Sequence, residues 1–182
     1  SSNLQTDGKG QNNNKWESKK RKNILLSCYL DTSFVNLQEI FYINIATSLS
    51  IIDFLKEHIT FPYIKWPNDI LVKNKKISGI LITNRIQGKK LISSILGVGI
   101  NINQKKFKTT NKATSLSLIL NKKKKIDSEI QKFLFYLESR YLQIKNGDRK
   151  KIKQEYIKQL YMINQKIGRA DRKSTRLNSS HW

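Results

Sequence analysis

The chain contains a single cysteine, Cys28, so neither a disulfide framework nor a cysteine-built metal site can form within it. Cys28 sits inside the apolar run Ile24–Leu30, where a thiol serves more readily as a small core residue than as a nucleophile. No apolar stretch reaches membrane-spanning length and no signal-peptide pattern is present, so a cytoplasmic protein is expected. Acidic residues are scarce: 13 Asp and Glu stand against 35 Lys and Arg, a formal charge of +22. Alone, such an excess points to nucleic acid or an acidic membrane surface. Here it is spread over the whole chain, together with an over-use of Asn and Ile. That pattern fits a biased coding sequence better than a selected patch. The local exception, Lys122 to Lys125, reads as a solvated loop before a helix. Helix-turn-helix, zinc and aromatic RNA-binding signatures are all missing, as is any internal repeat.

What is present is enough for one domain. The 182 residues are 38% hydrophobic, and the apolar residues fall in periodic runs. The segment 1–22 is polar and rich in Gly and Asn, which is loop chemistry. Ile24–Leu30 reads as a buried strand. Asn36–Lys56 reads as an amphipathic helix whose stripe is Ile40, Phe41, Ile43, Ile45, Leu49, Ile52 and Leu55. Tyr63–Trp66 reads as a strand ended by Pro67, which cannot donate to a ladder. Ile70–Val72 and Lys76–Ile82 pair across a turn at Lys73, Asn74 and Lys75. A turn at Arg85–Lys90 leads to a strand over Leu91–Ile102. Asp127 or Ser128 caps a helix to about Lys145, Gly147-Asp148 breaks it, and another helix runs to about Met162. This order predicts an α+β fold: a mixed, largely antiparallel sheet flanked by helices.

Three stretches could carry chemistry. In Gly97-Val-Gly-Ile-Asn-Ile-Asn103, strand alternation puts Leu96, Val98, Ile100 and Ile102 on one face and Gly97, Gly99, Asn101 and Asn103 on the other. The second face is a bare backbone followed by amides, on which a flat ligand could lie; a bulged strand with a polar solvent face is the alternative. Gly8-Lys9-Gly10 could wrap a phosphate, or be a surface loop. Trp66-Pro67-Asn68-Asp69 forms a corner between Lys65 and Lys76. Those two lysines either converge on a cleft or blunt an edge strand.

The three together, in this order, resemble the catalytic domain of biotin protein ligases. That family carries K-W-P-N-D, K-x-x-G-I-L and G-x-G-I-N-x-N, found here from Lys65, Lys76 and Gly97. Gln5-Thr6-Asp7-Gly8-Lys9-Gly10, continuing to Lys15-Trp16-Glu17-Ser18, is similar to the family's Q-T-x-G-R-G-R-x-G-R-x-W-x-S. Asn23 to Ser27 and Ala113 to Leu116 resemble its N-L-x-x-S and A-x-S-L segments. The resemblance implies a ligase that joins biotin to ATP, giving biotinyl-5′-AMP, and passes the biotinyl group to a lysine of a biotin carboxyl carrier domain. It implies Lys76 and Lys65 as catalytic cations. It implies Gln5, Gly8, Lys9, Gly10, Lys76 and Gly79 around biotin. It implies Lys9, Gln11, Trp16, Lys65, Asn68, Asn101 and Asn103 around the nucleotide, and Asp69 beside a Mg²⁺ ion or the incoming amine. A homodimer is compatible with it; nucleic acid and membrane are not expected partners of this chain.

The loop departs from the family pattern. Lys9 stands for the first arginine, Gln11 for the second, and Asn13-Asn14 for a later Gly-Arg. Lysine cannot make arginine's bidentate phosphate contact. The family's upstream Ser-Thr-Asn element and its C-terminal barrel are not found, so residues 1–168 are expected to be a partial catalytic domain. Residues 169–182 lack the chain's periodicity and Lys/Ile bias, and read as a non-native, adapter-like tail. Two other readings stay open: a lipoate or octanoate ligase or transferase of the same superfamily, and a basic nucleic-acid-binding module.

Overall fold

The computed structural model describes residues 8–9, 15–108 and 112–161. Gln5, Gly10, Gln11, Asn13, Asn14 and the 169–182 tail therefore lie outside the described residues; the last helix, expected to run to about Met162, ends at Gln159, because Leu160 is extended. The sheet has five strands: β3 (Asn23–Asp31), β4 (Pro62–Lys65), β5 (Asp69–Val72), β6 (Lys75–Gln87) and β7 (Lys90–Asn101). Their order is β3-β7-β6-β5-β4, and every neighbouring pair is antiparallel. Among the described residues, the parallel element of the expected mixed sheet is confined to two isolated bridges, Ile64 with Leu160 and Lys76 with Ala113. A separate two-stranded ladder joins β1 (Gly8–Lys9) to β2 (Lys15–Trp16), pairing Gly8 with Trp16.

One face of the sheet is core. The register runs Ile24–Ile100–Ser78–Ile70–Ile64 across all five strands, and all five residues are buried. Residues directly opposite in antiparallel strands point to the same side. That row packs against α1 (Phe41–Lys56), which a 3₁₀ turn, Leu37–Glu39, precedes. The expected stripe of α1 is buried from Ile43 to Leu55, but so are Asn44, Ala46, Thr47, Ser48, Ser50, Ile51 and Phe54. The helix is enclosed rather than amphipathic, because α3 (Ile126–Lys145) and α4 (Arg149–Gln159) cover its outer side. Its buried hydroxyls are satisfied within the helix: Thr47 donates to the Ile43 carbonyl at 2.7 Å and Ser50 to the Thr47 carbonyl at 2.7 Å. Such local bonds let polar side chains sit in a core without an orphaned donor.

Several expected boundaries move. Strand β4 ends at Lys65, so Trp66 lies outside it, 56% exposed, before a cis peptide to Pro67. The β5–β6 turn is two residues, Lys73 and Asn74, with φ of 48° and 62°. Two positive φ values fit the tight turn whose twist matches the strands, which frees Lys75 to pair with Val72. Strand β6 runs five residues past Ile82, because the next turn is made at Gly88, φ 59°. Helix α3 starts at Ile126 with Lys125 as its N-cap and no side-chain cap, not at Asp127 or Ser128. Tertiary pinning sets that start: Asn103 donates to the Lys124 carbonyl at 2.8 Å and accepts from the Lys124 N–H at 2.9 Å. A short helix, α2 (Leu116–Leu120), was not anticipated; Ser115 caps it through the Leu118 N–H.

Candidate active site

The row next to the core row is the site. It runs Leu25–Gly99–Gly79–Asp69–Lys65 across the sheet, so these five residues share the face opposite to Ile64, Ile70 and Ile100. Lys65 and Asp69 are direct neighbours on it. Lys76 reaches this face through a bulge. Ile70 pairs with Ser78 but Leu71 pairs with Lys76, leaving Ile77 as the extra residue. Ile77 is fully buried. With regular alternation Lys76 would share the core side with Ser78; the extra residue turns it over. The segment 112–114 then locks it: the Lys76 N–H donates to the Lys112 carbonyl at 2.7 Å, and the Thr114 N–H donates to the Lys76 carbonyl at 2.8 Å.

The Lys76 ammonium meets Asp69 Oδ1 at 2.6 Å. It also lies 5.6 Å from the centroid of the Trp16 ring. Trp16 rests on the sheet itself. A Cβ at Gly99 would be 2.5 Å from Trp16 Cε2, and one at Gly79 would be 3.2 Å from Trp16 Cζ3. The bare glycine face therefore carries an indole of the same chain. Trp16 Nε1–H is buried without a hydrogen-bond partner among the described residues, as is Asn101 Oδ1. Buried polar atoms are rarely left unpaired, and two such atoms here are spare capacity for a ligand.

The other sequence-derived residues divide. Asn68 closes the corner, donating to the Ile80 carbonyl at 3.2 Å while its own carbonyl accepts from the Ile80 N–H at 2.9 Å. Asn101 is buried and donates to the Thr114 carbonyl at 3.0 Å. Asn103 has its side-chain amide taken up by the Lys124 backbone. Gly8 and Lys9 pair with the strand that carries Trp16. Asp69 is a poor anchor for a protein-held Mg²⁺: it is a single carboxylate with one oxygen on Lys76, and no group of three metal-ligating residues exists among the described residues. Sequence reasoning missed Gln104, which is buried. Its Oε1 accepts from Asn23 Nδ2 at 2.8 Å and from the Lys19 N–H at 2.9 Å. It fastens the segment after Trp16 to the end of β7, and a polar residue just beyond a buried strand was the available signal.

Comparison with known proteins shows the family. The model of the Biotin/lipoate A/B protein ligase family matches residues 2–101, more than half of the chain. The chain belongs to that family. Among curated members of the family, it is 31% identical over 142 residues to the bifunctional ligase/repressor BirA of Bacillus subtilis, covering 75% of this chain and 43% of that protein. It is also 31% identical over 116 residues to the biotin–[acetyl-CoA-carboxylase] ligase of Mycobacterium tuberculosis, covering 62% of this chain and 42% of the other. The chain thus spans less than half the length of these ligases. The structure of the biotin protein ligase of Aquifex aeolicus in complex with biotin and ATP superposes with a TM-score of 0.73 at 28% identity, over 87% of this chain and 66% of that one. The expected antiparallel sheet with flanking helices is thus the fold of this ligase family.

Proposed function

We propose that the protein is a biotin–protein ligase, and that the Lys76–Asp69 pair beside Trp16 is the centre of its adenylating site. The ion pair carries the reading, because it brings a cation to the face shared by Asp69 and Lys65. In the first step a carboxylate oxygen of biotin attacks the α-phosphorus of ATP. The bond to pyrophosphate breaks and biotinyl-5′-AMP forms. Both reactants are anions, so the barrier lies in bringing them together and in the charge that grows on the phosphoryl oxygens. Lys76 lowers both, and Asp69 fixes its direction. Lys65 supplies a second cation. Trp16 and Asn101 flank the nucleotide, with Asn68 and Asn103 holding the backbone that frames it. Gln5, Gly8, Lys9, Gly10 and Gly79 belong to the biotin side and Gln11 to the nucleotide side. In the second step a neutral lysine amine of a biotin carboxyl carrier domain attacks the acyl carbon. AMP leaves and the amine loses a proton.

The BirA relative and the Aquifex structure support biotin over lipoate. A cytoplasmic location and a homodimer belong to the same proposal; among the described residues no helix is long and apolar enough to cross a membrane. The test is ATP–pyrophosphate exchange by the full-length gene product. Exchange that needs biotin is expected. Exchange supported by lipoate or octanoate and not by biotin would overturn the proposal.

A further inference from the structure

We infer that Gly79 and Gly99 are positioning residues: together they form the seat that fixes the Trp16 indole relative to the Lys76 ammonium. The catalytic part of this inference rests on the proposed ligase reading; the structural part does not. The two glycines are direct cross-strand partners on β6 and β7. A Cβ at Gly99 would fall 2.5 Å from Trp16 Cε2 and 2.6 Å from Cζ2, closer than real Cβ contacts come, and 3.0 Å from Nε1. The ring must move if anything larger than hydrogen is placed there. A Cβ at Gly79 would stand 3.2 Å from Trp16 Cζ3, 3.2 Å from Lys76 Cε and 3.3 Å from Lys76 Nζ. One added methyl there presses on the indole and the ammonium together.

Gly97 provides the contrast. It lies on the same strand and face, yet the nearest atom to its Cβ would be the Leu81 carbonyl oxygen at 3.4 Å, an ordinary contact. The requirement for glycine is therefore set by Trp16 and not by the strand. Among the described residues the indole N–H has no hydrogen-bond partner, and none of them orients the ring through a polar bond. Its placement depends on the glycine floor and on the cation beside it.

The inference separates the two glycines. Gly99→Ala should act through Trp16 alone, whereas Gly79→Ala should act through Trp16 and Lys76. The experiment uses the full-length protein carrying ¹⁵N-indole tryptophan, with the Trp16 signal assigned by its loss in Trp16→Phe. Gly99→Ala and Gly79→Ala should each shift that signal, and Gly97→Ala should leave it in place. In the exchange assay, Gly99→Ala should raise KM for ATP about tenfold, and less than about twofold in a Trp16→Ala background. Gly79→Ala should lower kcat in both backgrounds. An unmoved indole signal in Gly99→Ala, or an equal loss with and without Trp16, overturns the inference. If Gly99→Ala does not fold, the double variant with Trp16→Ala decides: recovered cooperative melting supports the seat, and continued failure to fold overturns it. Absence of exchange in the wild type would defeat the ligase reading, while the indole signal and the melting would still judge the seat.

Discussion

Lys76 owes its orientation to one extra residue on β6, and its direction to one carboxylate. The Lys76 side chain is 37% exposed and that of Asp69 21%, so the pair is worth little to stability, about 1 kcal/mol or less. Its value lies in chemistry. Replacing Lys76 with Ala in the full-length protein should lower biotin-dependent exchange by a factor of about 10² to 10³ while the melting temperature stays nearly constant; undiminished exchange would refute the assignment. Cys28 behaves in the opposite sense. It is half-buried against the core, and burial pushes its thiol above the ordinary value of 9.0. The thiolate should therefore be scarcer than that of a free cysteine at the same pH. Alkylation should be slow in the folded protein and should accelerate on unfolding, as mass spectrometry can follow. The sequence made the core role of Cys28 legible. It could not show that Lys76 faces Asp69, because alternation along β6 alone gives the wrong face.

The elements depend on their turns and ends. Lys73 holds φ 48° in the β5–β6 hairpin, a region that disfavours side chains with a Cβ. Lys73→Gly should therefore stabilise the protein by about 1 kcal/mol, read as a higher denaturant midpoint. At the end of α1, Glu57 reaches α3: it pairs with Lys132 at 3.0 Å and accepts from the Tyr136 hydroxyl at 2.8 Å. Partial burial pushes the Glu57 carboxyl up. The hydrogen bonds from Lys132 and Tyr136 outweigh it and hold the group below its ordinary value of 4.5. A carboxylate with a depressed value adds stability that is complete above its unfolded value and is lost as pH falls through the folded one. Melting temperature should thus drop as pH falls below about 4.5, and Glu57→Gln should flatten that part of the curve. Strand and helix periods were readable in the sequence, since each follows from side-chain alternation. The starts of β6 and α3 were not, because a bulge and the Asn103–Lys124 bonds fix them from outside.

At the scale of the whole molecule, the charge of +22 repels itself, and salt screens that repulsion. The melting temperature should rise between about 20 and 300 mM KCl, given a Debye length near 10 Å at 0.1 M; a fall would mean that ion pairs outweigh the net charge. One such tie is Arg140, whose side chain is 13% exposed and meets Asp53 of α1 and Glu155 of α4. Arg140→Ala should cost about 2 to 3 kcal/mol by stranding two carboxylates between helices. The sequence by itself determined the fold class, because periods of two and of about 3.6 separate strands from helices. It also determined the family, because three motifs in a fixed order are specific where each alone is not. The tertiary structure decided which residues meet. Register set Lys65 beside Asp69 and Gly79 beside Gly99, the Ile77 bulge turned Lys76 onto their face, and Trp16 came to rest on the glycines. Those outcomes depend on hydrogen bonds between strands far apart in the chain. A pattern along one strand records which way a side chain alternates, but not what stands across from it.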